Sequence, residues 1–279
     1  MKPNQATLEV EPRVTTLTQV GPYRLERRAE WQSARDAFRA RKGEGDERAE
    51  VRLVHFPRVS AEAWSRFTAQ LASCRRLGRR GVAPVLDAGL EPRGEHVVVW
   101  IAVEPLGWAR PITSYVELRS LSRADRLELF ARVCDAVGHA HRRGLVHGSL
   151  EGGSCLVDMQ GQVRLIDFGL AALSGSGPAA DRGEDLRALA RLLCELLGGP
   201  EQLAELSPRL RRAVAAAFDP AGASRAPSAR GLAAAARHAA ALESPDARKE
   251  SLAGRLLARL RDGVARFQLP AGTPPVAAR

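Results

Sequence analysis

Residues 140–150 read AHRRGLVHGSL, and residues 164–171 read RLIDFGLA. The first stretch ends a long helical pattern. Ser122 stands at an N-cap before RADRLELFARVCDAVGHAHRRG, with Asp125 as its capping partner, and Leu129, Val133 and Val137 repeat on one face. The second belongs to a pair of short strands, SCLVD and QVRLIDF. Three further helical patterns follow: DLRALARLLCELLGG, SPRLRRAVAAAF and SARGLAAAARHAAAL. This half of the chain is therefore mostly helical.

Upstream, the pattern is different. From Tyr23 the chain alternates apolar and polar residues in YRLERRA, DAFRARK and EVRLVHF, with GEGDE marking a turn. Ser60 precedes a helix on which Trp64, Phe67, Leu71 and Cys74 share a face, and Gly78 is its expected end. VAPVLDAG and HVVVWIAV predict two more strands. The expectation is a five-stranded antiparallel sheet with one helix, preceded by a flexible tail over 1–22.

With 279 residues the chain can bury a large core. No apolar run reaches the roughly 20 residues of a membrane span, and the first residues lack the apolar region of a secretory signal, so a cytoplasmic protein is expected. Cys74, Cys134, Cys155 and Cys194 are widely spaced and show no metal-ligand pattern, which fits reduced thiols in the core. The net charge of +10 is carried almost wholly by arginine, since the lysines are Lys2, Lys42 and Lys249. A basic surface can attract nucleic acid, but no aromatic stacking platform or nucleic-acid motif accompanies it, and none is expected as a partner.

A five-stranded sheet with one helix, then a helical half whose first long helix runs into H-x-x-L and later DFG, resembles the bacterial serine/threonine protein kinase family. The resemblance covers residues 23–242, with an N-lobe over 23–104 and a C-lobe over 112–242. It implies an α+β, two-lobed fold. It also implies a set of catalytic parts, most of which are replaced.

The family's glycine-rich phosphate turn aligns with AEWQSARDAF, which puts Glu30, Gln32 and Arg35 where glycines belong. Its third-strand V-A-I-K aligns with Val51 to Val54, so Val54 takes the place of the lysine that holds the phosphates. Arg52 shares a face with Val54 and stands where the family has a small alanine against adenine. Two readings of Arg52 are open: it fills the nucleotide pocket, which is favoured, or it reaches Asp167 in place of the lost lysine. Gln70 replaces the helix glutamate that pairs with that lysine.

In the loop His147-Gly148-Ser149-Leu150, Ser149 replaces the aspartate that accepts the substrate proton, and Ser154 replaces the asparagine that holds the second Mg²⁺. The HG dipeptide is also similar to the H-G-D loops of aminoglycoside-phosphotransferase-like and atypical kinases, which need the same missing aspartate. Asp167 of DFG remains, as the one weak metal ligand, and Leu156 lies in the nucleotide-pocket remnant. No cofactor is expected, and a weak association with ATP and Mg²⁺ stays open.

Between Asp167 and Asp185 lie only FGLAALSGSGPAADRGE, with no A-P-E, so the peptide platform is largely missing. Ser174 and Ser176 beside Arg182 read as a short linker rather than as phosphorylation sites. The resemblance assigns Cys74, Val82, His147 and Phe168 to the internal spine and Asp185 to the anchor beneath the catalytic loop.

Residues 243–279 form a linker, a basic amphipathic helix and a Pro-rich tail. Over 248–267, Leu252, Leu256, Leu260, Val264 and Phe267 make one stripe, flanked by Arg255, Arg259 and Arg266. Packing on the domain, docking on a protein partner and contact with a membrane surface are open for this helix.

The resemblance thus implies a pseudokinase that scaffolds or regulates other proteins, such as an active kinase or its substrate. The alternatives are an atypical transferase using Asp167 with a displaced Arg52 or Lys42, and a membrane-surface or nucleic-acid adaptor.

Overall fold

The computed structural model describes residues 17–29, 36–77, 81–174, 181–219 and 228–243. Its first half is an antiparallel sheet of six strands: β1 (Gln19–Val20), β2 (Tyr23–Arg28), β3 (Asp36–Lys42), β4 (Arg48–Phe56), β5 (Val85–Arg93) and β6 (His96–Val103). Their order is β1-β2-β3-β4-β6-β5.

The sixth strand is a correction to the expected five. β1 lies in the stretch read as a tail, and at two residues it is too short to carry an alternating pattern. The strand expected over VAPVLDAG begins three residues later, at Val85; Val82 instead makes an isolated parallel bridge to Leu165.

Alternation gives this sheet two apolar faces. Tyr23, Leu25, Phe38, Val51, Leu53, Val98 and Trp100 bury together on one, and Ala37, Val99, Ile101 and Val103 join Phe67 and Leu71 on the other. The first face is buried because the edges approach each other: the Gly21 N–H donates to Glu91 Oε1 at 2.6 Å, tying the β1–β2 turn to β5. Trp100 fills the space between these edges.

Only glycine fits at position 89, because a Cβ there would come within 2.3 Å of the indole carbon Cζ2 of Trp100. Gly89→Ala is expected to lower stability by about 1–3 kcal/mol through overpacking, measured as a fall in the urea midpoint with an unchanged slope.

Helix α1 (Ala61–Arg75) is capped by the Ser60 hydroxyl, which accepts from the Ala63 N–H, and buries Ala63, Phe67, Leu71 and Cys74. It ends at Arg75, before the expected Gly78, which lies outside the described residues.

A short linker leads to β7 (Arg110–Pro111) and α2 (Ile112–Leu118), a helix the sequence did not announce because Pro111 at its N-cap offers no side-chain cap. Helix α3 (Arg123–His141) has the expected cap, Ser122 accepting from the Asp125 N–H, and is buried along most of its length. Strands β8 (Cys155–Val157) and β9 (Val163–Leu165) pair with β7 in a second small sheet.

Helices α4 (Arg182–Leu197), α5 (Pro208–Phe218) and α6 (Ala229–Glu243) complete the core around α3, with a short 3₁₀ turn, Pro200–Glu205, between α4 and α5. The two halves are joined by backbone: the Ala83 N–H donates to the Leu165 carbonyl and the Leu165 N–H to the Gly81 carbonyl.

Candidate functional site: the cleft between the lobes

The cleft is built on β4, β6, β8 and the residues after β9. Arg52, in the middle of β4 opposite Ile101, points into it and meets Asp167: Nη2 lies 2.9 Å from Oδ2, with side-chain exposures of 1% and 0%. The contact with Asp167 that the second reading of Arg52 expects is therefore present, and the same side chain lines the pocket that the first reading expects it to fill. The alternation of β4 fixes which face Arg52 occupies, but a partner 115 residues away is fixed only by folding.

Asp167 takes a left-handed backbone (φ 69°), which few residues other than glycine, asparagine and aspartate tolerate. That backbone turns its carboxylate toward β4. Arg52 and Asp167 share their pocket with Leu71, Val82, Ile101, Val103 and Phe168, and the cavity left is about 10 Å³, roughly the room of one water.

Leu156, read as part of the nucleotide-pocket remnant, is fully buried in one apolar cluster with Ala29, Ala37, Ile101 and Val103. Strands of both lobes thus meet across the cleft. Val54 is partly buried against the same cluster. Glu30, Gln32 and Arg35 lie outside the described residues.

Lys42 does not reach this place. It sits at the hairpin end of β3 opposite Tyr23, with Nζ 3.9 Å from Glu47, whereas the β3 residue opposite Arg52 is Ala37. As a displaced phosphate-binding lysine it is excluded by its register.

Gln70 belongs to a different contact. Its amide donates to the Val146 carbonyl, and its Oε1 lies against Gly169, so it ties α1 to the loop after α3 and to the DFG turn. Sequence reasoning found the lost charge but had no signal for a bond between residues 76 apart.

The two serines differ from each other. Ser154 is fully buried, donates to the Glu151 carbonyl and accepts from the Glu151 N–H, at 2.8 and 2.9 Å. Its hydroxyl closes the 3₁₀ turn Gly152–Ser154 and faces its own loop. The Ser149 Oγ is buried with no hydrogen-bond partner among the described residues, so no adjacent base activates it.

Beneath the loop, Asp185 gathers three donors. The His147 and Gly148 N–H groups donate to its two oxygens at 2.9 and 2.8 Å, and His141 Nε2 lies 2.7 Å from Oδ2. Burial alone would raise this carboxyl, but the His141 bond, the nearby His147 ring and the two N–H groups outweigh it and hold it below the usual aspartate value.

A lowered folded-state value means that the unfolded chain takes up the proton first. The contribution of Asp185 is therefore complete above the ordinary carboxylate value and is lost as pH falls through the lower folded value. Acid unfolding should accordingly be shallower for Asp185→Asn than for wild type below about pH 4, compared by urea titration at stepped pH.

His147 Nε2 donates to the Ile166 carbonyl at 2.8 Å, and its ring lies 4.5 Å from Phe168. Phe168, Cys74 and Val82 belong to one buried cluster. Burial raises the Cys74 thiol to about 12, a packing residue rather than a reactive one. Arg182 donates to the His141 carbonyl; Ser176 and the side chain of Ser174 lie outside the described residues, as does 248–267.

Among the described residues no group of three or more His, Cys, Asp or Glu could hold a metal ion, and no helix is long and apolar enough to cross a membrane.

Comparison with known proteins agrees with this architecture. No family model matches the chain. It is 38% identical over 112 residues to the DNA damage-responsive serine/threonine-protein kinase RqkA of Deinococcus radiodurans, covering 39% of this chain and 16% of that protein. It is 29% identical over 120 residues to the serine/threonine-protein kinase PknA of Mycobacterium tuberculosis, covering 42% of this chain and 28% of that protein. The matches thus span well under half of these relatives' lengths.

Among solved structures, the PAN3 pseudokinase of Neurospora crassa superposes with a TM-score of 0.64 over 91% of this chain and 72% of that one, at 13% identity. The chain has a protein-kinase-like fold and is homologous to bacterial serine/threonine kinases.

Proposed function

We propose that this kinase-like protein is a pseudokinase: it transfers no phosphate and acts in the cytoplasm by binding other proteins, as a scaffold or as a regulator of an active kinase. The observation that carries the reading is the buried Arg52–Asp167 pair. In the kinase family the aspartate of DFG holds Mg²⁺ and the third-strand lysine holds the phosphates. Here Asp167 engages an arginine in a pocket with about 10 Å³ left, which does not fit a nucleotide and its metal.

The remaining chemistry agrees. Ser149 has no group to make it a base, and Ser154 faces its own turn rather than a metal. A missing base and a missing charge-stabilising donor typically cost two or more orders of magnitude each. The supporting framework is retained: Asp185 holds the loop, and the His147 ring packs at a tilt against Phe168. A kept framework without reagents leaves the folded surface available for binding other proteins.

Incubation with γ-labelled ATP, Mg²⁺ or Mn²⁺, and a generic protein substrate tests this. No incorporation above a mock preparation is expected for wild type or for Ser149→Asp/Ser154→Asn, because restoring the loop leaves the cleft filled. Incorporation that disappears in Asp167→Asn would restore the atypical-transferase reading.

A further inference from the structure

Helix α1 is built into both lobes. Phe67 and Leu71, in its middle, are buried in one apolar cluster with Ile101 of the sheet and with Leu156, Leu170 and Leu173 of the C-lobe. Cys74 at its end, and Leu77 just beyond, are buried instead with Phe130, Val133 and Phe168 in the core of the C-lobe. His139 Nε2, on α3, lies 3.2 Å from the Leu77 carbonyl. Of the three apolar clusters among the described residues, only the one on the far face of the sheet is made of N-lobe residues alone.

Gln70 stands between these two attachments. Its amide nitrogen donates to the Val146 carbonyl, and a Cβ on Gly169 would fall 3.0 Å from its Oε1, so the side chain lies directly on the DFG turn. A carbonyl oxygen only accepts, so the group facing Val146 has to be a donor. The glutamate that the kinase family has at this position is an acceptor when ionised and would meet that carbonyl with a negative charge. The change from glutamate to glutamine therefore adds a bond between the lobes as well as removing a charge. Arg52 with Asp167, and Leu165 with the backbone of Gly81 and Ala83, make further ties of the same kind.

We propose that α1 is permanently latched to the C-lobe, with Gln70 as the positioning residue of the latch, so that the lobes separate only when the whole domain unfolds. The latch holds whether or not the cleft transfers phosphate. Its consequence, that the surface offered to a partner does not switch with lobe movement, rests on the protein-binding reading above.

Hydrogen exchange on the full chain, followed at stepped urea below the unfolding midpoint, tests the latch without nucleotide, so its failure is distinct from that of the phosphotransfer assay. After correction for intrinsic rates, the slowest amides of α1 are expected to exchange within about threefold of the slowest amides of α3, with the same urea dependence, as amides exposed only by global unfolding do. Gln70→Glu keeps the shape and removes the donor. It is expected to speed exchange over 61–75 at least about tenfold relative to 123–141. Gln70→Met, which removes the donor without adding a charge, is expected to shift the same ratio in the same direction.

Wild-type α1 amides that exchange more than about threefold faster than those of α3, or with a smaller urea dependence, would overturn the proposal, because α1 would then be moving free of a folded C-lobe. An unchanged ratio in either variant would overturn the role of Gln70.

Discussion

Arg52→Ala should lower the unfolding free energy by about 3–5 kcal/mol, among the largest effects of any single substitution in this chain. The cause is the aspartate left behind. The Asp167 carboxylate is fully buried 2.9 Å from the guanidinium, and without that guanidinium it loses its charge partner in a largely apolar pocket.

The design of the second variant follows from the backbone. At φ 69° an asparagine is tolerated where a leucine would be strained, so Arg52→Met/Asp167→Asn removes both charges and keeps the turn. The double variant is expected to regain most of the loss, since a buried pair replaced as a pair by neutral groups of similar size is often close to neutral. A double-mutant cycle from urea unfolding gives the coupling directly. Losses that merely add would mean that the two side chains do not depend on each other.

Asp185→Ala is the second large effect, expected at about 3 kcal/mol or more. Three donors lose one acceptor: the buried N–H groups of His147 and Gly148, and the His141 ring. Each buried donor left without a partner costs about 1–3 kcal/mol, and the loop cannot reach water without unpacking His147 from Phe168. Near-wild-type stability of Asp185→Ala would show that the loop is held by packing alone.

The N-caps at Ser60, Ser122 and Ser207 mark local events, each a hydroxyl within three residues of the N–H it serves, and two of them were legible in the sequence. The DFG and H-x-x-L spacing carried the two-lobed fold for the same reason: a helix, a loop and two short strands in sequence order leave a readable pattern. Helix α2 was not legible, because Pro111 gives no capping signal, and β1 was too short to alternate.

The candidate site was legible in composition but not in contacts. The lost lysine, glutamate, aspartate and asparagine could be read from positions 54, 70, 149 and 154. What replaced them was legible only in part: Arg52 with Asp167 stood as one of two open readings, and Gln70 with Val146 left no signal. Arg52 with Asp167, and Gln70 with Val146, join residues from different lobes, and strand alternation specifies a face without specifying a partner.

The central claim is that the cleft is closed to nucleotide, and a melting titration of the full chain with ATP and Mg²⁺ tests it most directly. A site with a Kd of about 10 μM would, at about 1 mM ATP, stabilise the fold by about 2.7 kcal/mol and raise Tm by several degrees. No shift is expected up to that concentration. A saturable rise that requires Mg²⁺ and is lost in Asp167→Asn would contradict the account, because it would mean that Asp167 leaves Arg52 to hold a metal-bound nucleotide.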